Sequence, residues 1–141
     1  MSVLKGTAMW ASVHTPNVKF EPAYTIDLVV DEQTYNEYAS QGYPAKITDT
    51  GQHVLKFKRK QFKNDGTELP KPTVVDANTQ PFTQEIGNGS IVNVQFIPGE
   101  SQWGKKTFKK LYLVGVQVLE HVEYKGAGAS EFTPVVGSAS Y

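Results

Sequence analysis

Two short stretches of the chain are rich in cations and contain no acid. Residues 56–63 and 105–110 together hold nine of the 14 Lys and Arg residues. The first block contains Lys56, Lys58, Arg59, Lys60 and Lys63, and the second contains Lys105, Lys106, Lys109 and Lys110. Clustered cationic side chains bind polyanions, above all the phosphate backbone of nucleic acids. The two basic blocks therefore predict a surface that binds phosphates.

The first basic block has the spacing of a strand with one cationic face. Side chains alternate between the two faces of a strand, so Lys56, Lys58 and Lys60 form a row with neighbours about 7 Å apart. This spacing is close to that of phosphates along an extended single strand. Arg59 is expected on the opposite face, paired with an acid. The alternative interpretation of the row is a solvated strand face or a sheet edge protected by lysines.

Aromatic residues accompany both basic blocks. Trp103 lies just before the second block in a glycine-flanked stretch, and Phe108 and Tyr112 share the strand face of Lys110. Single-strand binding combines cations that follow the phosphates with flat rings that stack on bases, at about 1–3 kcal/mol per base. We predict stacking by Trp10, Phe62, Trp103, Phe108 and Tyr112, and phosphate contacts from Lys56, Lys58, Lys60, Lys105, Lys106 and Lys110. The alternative is that the rings fill the core or the ends of a small β domain.

Length and composition limit the class of protein. At 141 residues, with 39% hydrophobic and 20% charged residues, the sequence is typical of one folded domain. The absence of cysteine excludes disulfide scaffolds, cysteine-ligated zinc, iron–sulfur clusters and thiol catalysis. No apolar run reaches the roughly 18–20 residues of a transmembrane helix, so we expect a cytoplasmic location and no membrane partner.

The formal net charge of zero conceals an uneven distribution. Outside the two basic blocks, the rest of the chain holds only five of the 14 cations but all 14 acids. We therefore expect a basic face and an acidic remainder. Such a division directs a polyanion to one groove and away from the rest of the surface.

Alternation of apolar and polar residues indicates that strands position these groups. The predicted principal strands are residues 3–14, 24–30, 53–62, 90–98 and 107–122. One helix is predicted over residues 31–42, because acids open this segment and a glycine closes it. Five principal strands and one helix predict a mainly β protein, a small closed or nearly closed β-barrel.

Turn residues connect the predicted strands. The Asn-Asp-Gly sequence at 64–66 is typical of a hairpin. Two prolines, Pro70 and Pro72, indicate a short edge element at 72–78, because proline cannot donate within a central ladder. Residues 99–106 are expected to form a loop. The Gly/Ala/Ser-rich segment 125–141 is predicted to be a flexible C-terminal tail.

Metal-dependent catalysis, as in a nuclease, is the first rival interpretation. Asp27, Asp31 and Glu32 lie close together in the sequence, and His121 and Glu123 are two residues apart. The acids at 31 and 32 are explained better by a helix N-terminus, and the two clusters share no visible third ligand. Residues 87–89 (Gly-Asn-Gly) indicate a turn, since no Lys-Ser/Thr follows as in a phosphate-binding loop. We therefore predict no catalytic residue, no metal and no cofactor.

Several blocks of the sequence, in order and spacing, resemble a known family. The blocks are KGTAMWASVHTPN, KFEPAYTIDLVVDE, LKFKRK, VVDAN, IGNGSIVNVQF and VQVLEHV, which together span residues 5–122. They resemble the single-stranded DNA-binding proteins of tailed bacteriophages, including those of podovirus-type replication modules. The resemblance implies a five-stranded OB-like β-barrel with one short helix, over residues 1–124, followed by the tail.

The resemblance also implies a function. The expected protein binds single-stranded DNA without sequence preference and without catalysis, during phage DNA replication and recombination in the cytoplasm of the infected bacterium. Phage replication proteins are expected to contact the C-terminal tail, which ends in Tyr141 but carries only Glu131 against Lys125. The predicted helix departs from the usual OB arrangement, because it lies between the second and third strands rather than between the third and fourth.

Two further functions would use the same surface. A structural or protein-interaction β-barrel module of a phage could expose the same rings to a protein partner. RNA binding is the other, because a stacking groove does not by itself distinguish ribose from deoxyribose.

Overall fold

The computed structural model describes residues 2–18, 22–63, 65–123, 136–137 and 139–140. The strands are β1 (Ser2–Asn17), β2 (Ala23–Val30), β3 (Ala45–Ile47), β4 (His53–Lys60), β5 (Thr73–Asp76), β6 (Ile91–Trp103), β7 (Lys106–Glu120), β8 (Val136–Gly137) and β9 (Ala139–Ser140). The helix of the described residues is α1 (Glu32–Ala39). It is not long and apolar enough to cross a membrane.

Five of these strands close into a barrel. The neighbours around it are β1, β2, β4, β7 and β6, and β6 pairs again with β1. The β4–β7 contact is parallel, and the other four pairings are antiparallel. β3 pairs beside the first half of β4, and β5 lies parallel to β7 as an edge strand. The predicted mainly β, five-stranded OB-like barrel is confirmed.

The barrel core follows from the alternation of side chains in each strand. On β2, Tyr24, Ile26 and Leu28 are buried, and on β4 Leu55 and Phe57 are buried. Residues from β6 and β7 complete this core: Val92, Val94, Phe96, Leu111 and Leu113. Burial of such side chains stabilises the fold by about 1.5–3 kcal/mol each. The intervening residues of β2 and β4 are thereby placed on the outer face of the barrel.

β1 is long enough to pair with two neighbouring strands. Its first part, Ser2 to Thr7, pairs with β6, and the part from Thr7 onwards pairs with β2. Gly6 permits the close approach of these strands, since a Cβ there would collide with the carbonyl oxygen of Val29. The register with β2 shifts between Met9 and Ser12, so β1 carries a bulge at Trp10.

The helix α1 lies between the second and third barrel strands, as predicted. Asp31 is its N-cap, and the Asp31 side chain accepts a 2.7 Å hydrogen bond from the backbone nitrogen of Thr34. The helix is shorter than predicted because its C-cap is Ser40, and Gly42 follows at φ +90°. The Tyr38 ring packs edge-on against Phe96, with centroids 5.8 Å apart, which fixes the helix over one end of the barrel.

Three local predictions have clear outcomes. A hairpin around the predicted turn is confirmed by a bridge between Phe62 and Glu68, with Asn64 itself outside the described residues. The edge element at 72–78 is observed as β5. The loop predicted at 99–106 is wrong. These polar residues instead continue the β6–β7 ladder to a turn at Gly104, which has φ +64°. The predicted flexible tail, 125–141, lies outside the described residues except for β8 and β9.

Candidate nucleic-acid interface

A groove of about 610 Å³ crosses the outer face of β2 and β4. Its lining includes five lysines from three strands and two aromatic residues outside the core: Lys46, Lys56, Lys58, Lys60, Lys110, Trp10 and Tyr112. Six of these seven are residues that the sequence predicts as DNA contacts, and Lys46 is the addition. The groove therefore combines cations and flat rings on one surface.

The lysine row of β4 lies in register with β2. Lys56 is opposite Asp27, Lys58 is opposite Thr25 and Lys60 is opposite Ala23. Lys56 and Lys58 are exposed, whereas the residues on either side of Lys56 are buried in the core. The three lysines thus follow one another along the outer face, as the alternation predicts.

The second basic block reaches the groove through the parallel contact between β4 and β7. Lys58 is the register partner of Tyr112, and Lys110 precedes Tyr112 by two residues on the same face. Arg59 is held beside this contact. Its Nε donates to the carbonyl oxygen of Pro70 at 2.7 Å and its Nη1 to that of Leu113 at 3.2 Å. Carbonyl oxygens, rather than the expected acid, are therefore the described hydrogen-bond acceptors of Arg59.

Tyr112 is supported from the Arg59 side. The guanidinium carbon of Arg59 lies 5.2 Å from the centroid of the Tyr112 ring, within range of a cation–π contact. Two backbone carbonyls of the described residues accept hydrogen bonds from Arg59, so the guanidinium is anchored while it contacts the ring. The anchored guanidinium therefore supports the Tyr112 ring at the margin of the groove.

Trp10 is held in a strained backbone conformation at the β1 bulge. It has φ +51°, and the residue is 66% exposed. L-residues other than Asn and Asp rarely adopt this region, which costs about 1–2 kcal/mol. The Trp10 amide donates a 2.7 Å hydrogen bond to Oδ1 of Asn88, and the next residue, Gly89, donates from its amide to the Ala8 carbonyl at 2.9 Å. The turn at 87–90 thus holds the backbone that carries this exposed indole beside the groove.

Other predicted contact residues do not line the groove. Phe62 lies in the short hairpin that follows β4, and Phe108 is exposed on the arm of the β6–β7 hairpin. Lys105 lies in the turn of that hairpin, and Lys106 begins β7 opposite Trp103. The side chain of Trp103 is outside the described part of the structure. The second basic block is therefore divided between the groove and the hairpin tip.

Two charged residues of the groove were absent from the predicted contacts. Lys46 belongs to β3, a three-residue strand that is too short to show a period-two pattern. Asp27 is largely buried, and its Oδ2 lies 3.6 Å from Nζ of Lys56 and 3.8 Å from Nζ of Lys46. The alternation on β2 already placed Asp27 on the outer face, but only the register with β4 shows that it faces a lysine.

Three of the five residues considered as metal ligands have other partners. Asp27 pairs with lysines, and Asp31 caps α1, where hydrogen bonds from Thr34 hold the pKa of the Asp31 carboxyl below its usual value. Nε2 of His121 lies 3.0 Å from the carbonyl oxygen of Glu85. Within the described residues, no three His, Asp or Glu side chains form a group that could hold a metal ion.

Solved structures of two phage proteins have a fold similar to that of this chain. The chain is similar to gp2.5, a single-stranded DNA-binding protein encoded by bacteriophage T7, with a TM-score of 0.61 and 18% identity over 91% of this chain and 97% of the other. It is also similar to the single-stranded DNA-binding protein from bacteriophage Enc34, with a TM-score of 0.62 and 14% identity over 97% of this chain and 89% of the other. This is the fold of phage single-stranded DNA-binding proteins.

The phage single-stranded DNA-binding fold agrees with the family that the sequence blocks resemble. A structure of the Enc34 protein in complex with single-stranded DNA also matches, with a TM-score of 0.60 and 14% identity over 88% of this chain and 89% of the other. No protein-family model and no curated protein matches the chain. This chain and the phage proteins thus share the architecture of the barrel.

Proposed function

We propose that the protein binds single-stranded DNA along the groove, without sequence preference and without catalysis. The observation that carries this proposal is the convergence of five lysines with Trp10 and Tyr112 in one groove, which crosses the outer face of the second and third barrel strands. This is the face on which OB-folds bind oligonucleotides. The similarity of the fold to phage single-stranded DNA-binding proteins supports the same function.

In the proposed complex, the lysines contact the DNA backbone and the aromatic rings contact the bases. The lysine row on β4 and Lys110 on β7 would neutralise successive phosphates, which supplies affinity that does not depend on sequence. Trp10 and Tyr112 would stack on bases, and every base offers a flat face for such stacking. The hairpin residues Lys105, Lys106 and Phe108, with Trp103, would extend the path of the strand beyond the groove.

The proposed biological role follows from this binding mode. We assign the protein to phage DNA replication and recombination in the cytoplasm of the infected bacterium, where it would coat exposed single strands. The C-terminal tail is the proposed contact for phage replication proteins. Phage origin is supported by the phage proteins that share the fold.

Tryptophan fluorescence titration with DNA homopolymers tests the proposed function. An indole as exposed as Trp10 should be quenched when a base stacks on it. If about four phosphates are neutralised, log K should fall with log salt at a slope of roughly −3. Duplex DNA and RNA homopolymers of equal length are the comparison ligands. No binding at low salt, or equal affinity for the duplex, would refute the proposal, whereas tighter binding of RNA would reassign the ligand.

A further inference from the structure

We propose that Asp27 is a counter-charge within the groove, which weakens the binding of single-stranded DNA by competing with its phosphates for Lys46 and Lys56. The inference rests on the proposed function and adds a residue that limits the affinity. An acid at the floor of a cationic groove is unexpected, because like charges repel and a phosphate strand must pass over it.

The position of Asp27 makes this competition direct. Asp27 lies on β2 opposite Lys56 on β4, and β3 brings Lys46 to the same carboxylate. The Asp27 side chain is 13% exposed, whereas the side chains of Lys46 and Lys56 are 46% and 45% exposed. The carboxylate therefore lies beneath two lysine side chains that extend into solvent, where a phosphate can reach their ammonium groups.

The distances show that neither lysine is tightly bound by Asp27. The Nζ–Oδ2 separations of 3.6 and 3.8 Å exceed the roughly 2.7–2.9 Å of a charge-assisted hydrogen bond. Such long contacts give Coulombic attraction without fixing the direction of the ammonium group. A phosphate can therefore take over Lys46 and Lys56 without breaking a short hydrogen bond.

Asp27 cannot leave the groove when DNA binds. Its backbone is part of the β2 ladder with both β1 and β4, and its side chain is mostly enclosed. Because enclosed charges are screened less by salt than exposed ones, its repulsion of a bound phosphate persists at physiological ionic strength. The repulsion acts on the complex after docking, so it should mainly accelerate dissociation.

The decisive variant is Asp27→Asn, which retains the shape of the side chain and removes its charge. We expect about three- to tenfold tighter binding of a DNA homopolymer, mostly through slower dissociation, as for the loss of one repulsive charge at intermediate screening. The matched control is Glu120→Gln, which changes the net charge equally but lies at the far end of β7, outside the groove lining. The control should change affinity by less than about twofold.

Each outcome of this experiment is informative. Unchanged affinity in Asp27→Asn would overturn the inference, and weaker binding would overturn it by showing that the carboxylate positions the lysines. Asp27→Thr, which places in β2 a residue suited to strands, provides the same test if the amide variant fails to fold. If the wild-type protein binds no single-stranded DNA, the proposed function fails and the inference fails with it. If the wild type binds but neither variant binds more tightly, only the inference fails.

Discussion

Tyr112 lies directly opposite Lys58 at the parallel contact through which β7 closes the barrel on β4. Because of this register, Lys110 joins the lysine row of β4, and an aromatic ring lies at its margin. The barrel closure and the proposed DNA surface therefore depend on the same pair of strands.

Replacement of Lys56, Lys58 and Lys60 together by alanine should weaken binding of single-stranded DNA. Loss of about three phosphate contacts should flatten the salt slope by about 2 units in log K against log salt. Titrations at several salt concentrations measure this slope. Replacement of Lys5, Lys63 and Lys71, which do not line the groove, is the control for net charge. An equal effect of both triple variants would show that the row has no special role.

The Trp10→Gly variant should separate binding from stability. Loss of the indole should cost about 1–3 kcal/mol of binding free energy if it stacks on a base. Glycine adopts positive φ without strain, so the thermal midpoint should be unchanged or higher. Fluorescence anisotropy of labelled DNA and thermal unfolding followed by circular dichroism provide the two measurements. Trp10→Phe should retain part of the affinity, and wild-type affinity in the glycine variant would contradict the stacking role.

Asn88 is expected to act on DNA binding through Trp10. Asn88→Ala removes the acceptor for the Trp10 amide, so the indole should become less ordered and the affinity should fall by about two- to tenfold. Asn88→Asp retains an acceptor at this position and should preserve the order of the indole. In a Trp103→Phe background, the tryptophan anisotropy of the free protein reports this order independently of DNA. Asn78→Ala, in a separate exposed turn, should alter neither quantity.

The N-cap of α1 predicts a dependence of stability on pH. The pKa of Asp31 is lowered in the folded protein by hydrogen bonds from Thr34, so the ionised cap stabilises the fold at neutral pH. This stabilisation should be lost as the pH falls below about 4, when the carboxyl becomes protonated. Thermal midpoints of the wild type and Asp31→Asn, compared from about pH 7 to about pH 3, measure it. The difference between the two proteins should change over the acidic range, and a constant difference would contradict the role of the charge.

Much of the architecture is predictable because it depends on local alternation. The buried Leu55 and Phe57 require Lys56 and Lys58 to point outward, whichever strand lies beside them. The position of Asp31 before a helix follows equally from local capping chemistry. The fold class, and the face on which the lysine row lies, can therefore be predicted from short stretches of sequence.

The composition of the groove depends on contacts between distant segments. Nothing near Lys46 indicates that β3 will carry it to Asp27, and the bulge at Trp10 becomes evident only from the register of β1 with β2. The β6–β7 pairing on both sides of the turn at 104–105 is not predicted, because its polar residues resemble those of a loop. These features require the register of the strands, which the local pattern does not supply.

Neighbouring strands of the barrel differ greatly in how many residues they pair. Among the described strands, β6 and β7 share a long ladder, whereas β4 and β7 share the single register pair of Lys58 and Tyr112. Local opening should therefore begin at the β4–β7 contact, and amides there should exchange with solvent before those of the β6–β7 ladder. The proposed DNA path crosses this same contact. A DNA strand bound to lysines on both β4 and β7 would link these two strands. The barrel would then resist opening at this contact most strongly in the DNA complex.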